Sequence, residues 1–88
     1  MNDWIYPEVI ECLKEACRSF LEGKITIQDI QSEIYKAENQ IVALEEKWLR
    51  TILFDAENEI ELLIYTVDEK RLDESVTSII KNILTNIG

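Results

Sequence analysis

Asp55, Glu57, Glu59, Glu61, Asp68 and Glu69 put six carboxylates into the stretch LFDAENEIELLIYTVDE, Leu53 to Glu69, without one lysine or arginine. The nearest positive charges are Arg50 before it and Lys70 after it. Carboxylates concentrated in this way have three chemical uses. Paired acids cleave glycosidic bonds when a cleft sets them across a substrate. Spaced oxygens hold a divalent cation. A row of negative charge attracts a basic protein surface.

The first two uses lack their remaining parts. The chain has no histidine, so the Glu-x-x-His pattern of di-metal carboxylate bundles is absent. DAENEIELL lacks the glycine and the spaced ligands of a calcium loop. No Gly-rich phosphate loop and no Ser or Cys nucleophile–base pair is visible. Cys12 and Cys17 fall on quite different sides of one helix, which argues against a disulfide or a zinc pair. Both are expected to be reduced core or boundary residues. The sequence therefore implies no catalytic residue, metal site, cofactor or small-molecule ligand, and the chain is not expected to be an enzyme.

Charge recognition remains. Glu57–Glu61 and Asp55–Glu59 are like-charge i,i+4 pairs, each unfavourable to a helix by roughly 0.2–0.5 kcal/mol. Charge held together against its own repulsion is best understood if it meets a basic partner. The whole composition agrees: nine bases against 18 acids give a net charge of −9 in 88 residues. Such a chain avoids nucleic acid and anionic membranes. No apolar run approaches the roughly 20 residues of a membrane span, and MNDWIYPEVIE lacks the basic start of a signal peptide. A cytoplasmic protein of one domain, 1–88, is expected.

The elements that must position these acids are helices. Two glycines and one proline are too few for the turns of a sandwich or barrel. Pro7 suits the first turn of a helix over 7–22, with Val9, Leu13, Ala16, Cys17, Phe20 and Leu21 on its apolar face and Gly23 just past its end. Thr26 caps a second helix, with Asp29 completing a capping box and Ile25 and Ile30 a hydrophobic staple. Asp68 is expected to cap the last helix, 69–86, with Val67 and Leu72 as its staple and Leu72, Val76, Ile79, Ile80, Ile83, Leu84 and Ile87 on one face. Between these starts Ile27, Ile30, Ile34, Ala37, Ile41, Leu44 and Trp48 keep a helical spacing without a breaker. One helix over 27–64 would be about 57 Å long and would outrun its partners. A turn near Asn39–Gln40 is therefore predicted, giving helices over 27–38 and 41–65. The third helix carries a core stripe of Leu49, Ile52, Ala56, Ile60, Leu63 and Val67. The fold class is all-α, an antiparallel four-helix bundle. On its third helix Glu57 and Glu61 stack one turn apart, Tyr65 continues their ridge, and Asp68 and Glu69 stand at its foot, while Asp55 and Glu59 project from another side.

Two blocks of this sequence, FLEGKIT (Phe20 to Thr26) and LFDAENEIELLIYTVDEKRLDESVTSII (Leu53 to Ile80), resemble the colicin D-type immunity proteins. Those pair an FL-x-x-K-I-T helix junction with an acidic run leading to a Tyr and then a terminal V/I-D … L … V-x-S-I helix. The stretch 31–52 shows little resemblance. The resemblance implies a small helical bundle with which a bacterium protects itself from a nuclease toxin, bound one-to-one through the toxin's basic C-terminal domain. In that family the toxin is a tRNA-cleaving ribonuclease, delivered as a colicin or by contact-dependent inhibition. Glu57, Glu59 and Glu61 match the family's acidic run, and Asp68 its Tyr-x-x-Asp step. The expected toxin-binding set is Asp55, Glu57, Glu59, Glu61, Tyr65, Asp68 and Glu69. Two alternatives stay open: an immunity protein for a DNase-type toxin, and a helical adaptor or regulator that binds through an apolar groove.

Overall fold

The structure is a computed structural model that describes residues 4–88. Residues 1–3, part of the stretch read for a leader, lie outside the described residues. Four α-helices follow one another: α1 (Pro7–Leu21), α2 (Ile27–Gln40), α3 (Lys47–Thr66) and α4 (Glu69–Ile87). A short 3₁₀ turn, Leu44–Glu46, precedes α3. Each helix packs on the next, and α1 closes the ring on α4. Short connections make sequential neighbours antiparallel, so α1 and α3 stand diagonally and start at the same end. The molecule measures 38 × 22 × 18 Å.

The helix boundaries follow from local chemistry. Pro7 opens α1. At its far end Gly23 takes a φ of 77°, a left-handed conformation that favours glycine. Gly23 N–H donates to the Phe20 carbonyl and Lys24 N–H to that of Ser19, which is the Schellman arrangement. Thr26 Oγ1 accepts from Asp29 N–H at 3.1 Å, and Asp29 Oδ2 accepts from Thr26 N–H at 3.0 Å, closing the predicted capping box. Asp68 differs from expectation. It occupies the N-cap position of α4, but its carboxylate makes no capping bond. Its backbone carbonyl instead accepts from the N–H groups of Arg71 and Leu72. Thr26→Ala is therefore expected to lower the unfolding free energy by about 0.5–2 kcal/mol. Asp68→Ala, which breaks no such bond, should move the urea midpoint less.

The turn after α2 comes where it was expected, but α3 begins at Lys47 rather than at residue 41. Ile41 and Val42 are consecutive β-branched residues with weak helix preference, and the chain runs extended through Ala43. Ile41 is fully buried. The Glu46 carboxylate makes no capping bond to α3 and accepts instead from the Ile5 N–H at 2.8 Å. That bond straps the segment before α1 over the start of α3, where the Trp4 and Trp48 rings pack 5.8 Å apart at 33°. The detour between α2 and α3 resets the helical phase. Leu44 and Trp48, expected on the apolar stripe, are consequently 83% and 47% exposed.

The core is a set of seams at helical spacing: Ile10, Leu13, Cys17 and Phe20; Ile30, Ile34, Ala37 and Ile41; Leu49, Leu53, Ala56 and Ile60; Val76, Ile80, Ile83 and Ile87. On α3 the stripe is rotated from the predicted one: Leu53 is fully buried, while Ile52, Leu63 and Val67 are half-buried. On α1 the core takes in Ile10, leaving Val9 half-buried. Burial pushes the Cys17 thiol up to about 12, which leaves it an inert protonated core group.

Candidate functional site

The outward side of α3 is set by its buried stripe. With Leu49, Leu53, Ala56 and Ile60 turned inward, helical periodicity turns Phe54, Asn58, Leu62 and Tyr65 directly outward. Phe54 is 52%, Leu62 62% and Tyr65 80% exposed, so three large apolar or aromatic side chains stand on one face of one helix. Two rows of acids flank them. Glu57 and Glu61 lie on the side facing α2, and Asp55 and Glu59 on the side facing α4.

On the α4 side, Asp55 and Glu59 border an open groove of about 350 Å³ floored by Ile52, Ala56 and Ile79 and edged by Ser78 and Asn82. Both carboxylates are exposed. On the α2 side the acids are engaged. Gln31 Nε2 donates to Glu61 Oε2 at 2.6 Å, tying α2 to α3. One turn nearer the start of α3, half-buried Glu57 meets Glu38 of α2. Glu38 is only 8% exposed, and its Oε1 receives no hydrogen bond. Burial, then the hydrogen bond to Glu38, then the charges of Glu38 and Glu61 raise Glu57 above its ordinary 4.5.

The structure thus sets Glu57 and Glu61 on one side and Asp55 and Glu59 on another, as their spacing predicts. It adds that the Glu57 row packs against α2 and that an aromatic and apolar strip lies between the two rows. Asp68 and Glu69 are exposed at the α3–α4 turn, beyond Tyr65. Glu38, Phe54 and Leu62 were missed. The signal for Glu38 was its place between Ala37 and Ile41 on the apolar face of α2; for Phe54 and Leu62 it was their position opposite the core stripe.

A raised carboxyl pKa has a definite consequence for stability. Glu57 binds its proton more tightly folded than unfolded, so its favourable contribution is complete below 4.5 and is lost as pH rises through the raised value. Asp29, whose pKa is lowered by its hydrogen bonds to the Thr26 backbone and side chain, acts oppositely: it stabilises above its ordinary 3.8 and is lost as pH falls through its folded value. The thermal midpoint should therefore rise as pH drops from 7 towards 4.5 and fall again in stronger acid. Glu57→Gln should flatten the first limb and leave the second. A wild-type midpoint that falls steadily from pH 7 downwards would count against the Glu38–Glu57 contact.

Among the described residues no group of three or more His, Cys, Asp or Glu could hold a metal ion. Among them, too, no helix is long and apolar enough to cross a membrane. The arrangement can attract a cationic surface, and it can bury aromatic area once that surface arrives. No protein-family model, curated protein or solved structure matches the chain.

Proposed function

We propose that this chain is an immunity protein: a non-catalytic inhibitor that binds a basic nuclease toxin and covers its substrate-gripping surface, acting in the cytoplasm of the bacterium that makes it. The observation that carries the reading is the outer side of α3, where Phe54, Leu62 and Tyr65 stand between carboxylate rows. A nuclease grips phosphates with lysine and arginine, and a carboxylate row offers those groups an alternative occupant. Aromatic side chains with acids around them suit an interface in which charge steers approach and apolar burial slows release. The resemblance of Phe20 to Thr26 and of Leu53 to Ile80 to the colicin D-type immunity proteins points the same way, and within that family the target is a tRNA-cleaving ribonuclease.

The test is inhibition. Purified protein is titrated against the basic C-terminal domain of a tRNA-cleaving toxin and, in parallel, against a DNase toxin domain. Stoichiometric loss of tRNA cleavage, with association slowing steeply as salt is raised, supports the reading. Inhibition of the DNase alone moves the protein to that class of toxin. The exposed Phe54, Leu62 and Tyr65 also favour a second reading, a helical adaptor that binds through apolar contact. That reading requires binding insensitive to salt.

A further inference from the structure

The two flanks of α3 treat their acids differently. Towards α2 the chain meets them itself: Gln31 donates to Glu61, and Glu57 meets Glu38. Towards α4 it leaves Asp55 and Glu59 exposed, one helical turn apart, and neither makes an ion pair among the described residues. Beside them runs the open groove of about 350 Å³ between α3 and α4. Its floor is aliphatic, made by Ile52, Ala56 and Ile79. Its α4 edge is Ser78 and Asn82, and no lysine or arginine lines it.

The polar groups of this groove select its occupant. The Asp55 and Glu59 carboxylates can only accept hydrogen bonds. Ser78 Oγ donates its one hydrogen to the Glu74 carbonyl at 3.3 Å, which leaves only lone pairs for an occupant. Asn82 brings a carbonyl oxygen beside its amide donors. Acceptors in this excess call for a donor-rich cation, and the aliphatic floor calls for a hydrocarbon stem behind the charge. Lysine and arginine side chains combine the two. An apolar group alone would cover the carboxylates without bonding them. A bare metal ion finds too few ligands, since among the described residues no group of three or more His, Cys, Asp or Glu could hold one. A second copy of this chain is opposed by repulsion, each copy carrying a net charge of −9.

We infer that the α3–α4 groove receives one long basic side chain of the partner. Its stem lies on Ile52, Ala56 and Ile79, and its cationic head sits between the Asp55–Glu59 row and the Ser78–Asn82 edge. This deepens the docking role of α3 and rests on it: the groove borders the α4 flank of Phe54, so a partner seated on the exposed aromatic strip stands beside its mouth. The carboxylate rows steer any basic surface. The groove fixes where along α3 one of its side chains comes to rest.

The test follows the full chain by NMR at neutral pH and constant ionic strength. The probes are n-butylammonium and n-propylguanidinium ions, the side chains of lysine and arginine without their backbones. Ammonium ion supplies the charge without the stem, and n-butanol the stem without the charge. Saturable shifts are expected with the probes at the Ile52 and Ile79 methyl groups and the Asn82 amide. Carboxyl-carbon shifts should be several-fold larger at Asp55 and Glu59 than at Glu57 and Glu61. Neither control should reproduce them, and the more strongly bound probe assigns the head as ammonium or guanidinium. Ser78→Lys, at an exposed helix position, lays the chain's own stem and ammonium into the groove. It should abolish the shifts, keep Tm at or above that of wild type, and weaken inhibition of a basic nuclease domain by roughly tenfold or more. Equal response to ammonium or n-butanol, equal shifts on both carboxylate rows, or undiminished probe binding by Ser78→Lys overturns the inference. The two readings fail separately. If Ser78→Lys inhibits the nuclease as strongly as wild type does, no partner side chain enters the groove and the docking face stands. If the probes enter but no nuclease is inhibited, the groove stands and the toxin reading falls.

Discussion

The double variant Glu57→Lys, Glu61→Lys should be at least as stable as wild type at neutral pH and should nevertheless fail to inhibit the basic nuclease domain proposed as its partner. Stability is retained because the ammonium introduced by Glu57→Lys would meet Glu38, replacing carboxyl–carboxyl repulsion with attraction across the α2–α3 seam. The exposed bond from Gln31 to Glu61 is lost, and such a bond contributes only about 0.5–1.5 kcal/mol. Binding suffers because two attractive contacts with a basic surface become repulsive in a partly desolvated interface. A loss of about 2–5 kcal/mol follows, corresponding to roughly 30- to 5,000-fold in affinity. Tyr65→Ala separates the apolar contribution from the charge: at 80% exposure its removal leaves the fold intact, so any loss of affinity belongs to the interface. Calorimetric affinity for the toxin domain, beside circular-dichroism melting, measures both quantities. A double variant that folds and still protects would reduce the acidic rows to a solvated surface.

The second large effect lies inside the bundle. Leu53→Ala should destabilise by about 2–5 kcal/mol, because Leu53 is fully buried in the α3 seam and a ring of four helices cannot collapse evenly around the void. The total stability of an 88-residue domain is roughly 4–13 kcal/mol, so this single change removes a large share of it. For a domain of this size each kcal/mol moves Tm by about 4–8 °C. Ile52→Ala, at a half-buried position on the α4 side, should be clearly milder. Equal midpoints for the two variants would mean that α3 is rotated from this orientation.

That pair of residues also shows where the sequence was legible. On α4 the apolar positions form one uninterrupted stripe after a marked start, so every expected residue from Leu72 to Ile87 is buried or half-buried. On α3 two apolar residues, Ile52 and Leu53, are adjacent, and either could begin a 3–4 series through Ala56 and Ile60. Which of them enters the core depends on where α2 and α4 sit, a tertiary fact that α3's own periodicity does not contain. The start of α3 was obscured for a related reason. Nothing near Ile41 is a strong breaker, only the weak helix preference of Ile41 and Val42, and the contact that ties down the start of α3, from Ile5 N–H to Glu46, joins residues 41 positions apart. The two acidic rows were legible from spacing. Their inequality was not, because it depends on Glu38 of another helix.

The packing of Trp4 on Trp48 determines what light can report from this molecule. These are the chain's two tryptophans, so its tryptophan fluorescence arises from a single corner where Trp4 and Ile5 lie against the start of α3. Tyr65 stands at the other end of the same helix, about 27 Å away along its axis. Emission therefore follows the docking of the segment that leads into α1, whereas ellipticity averages over all four helices. A red shift that precedes the loss of ellipticity would mark this corner as the first part of the bundle to open.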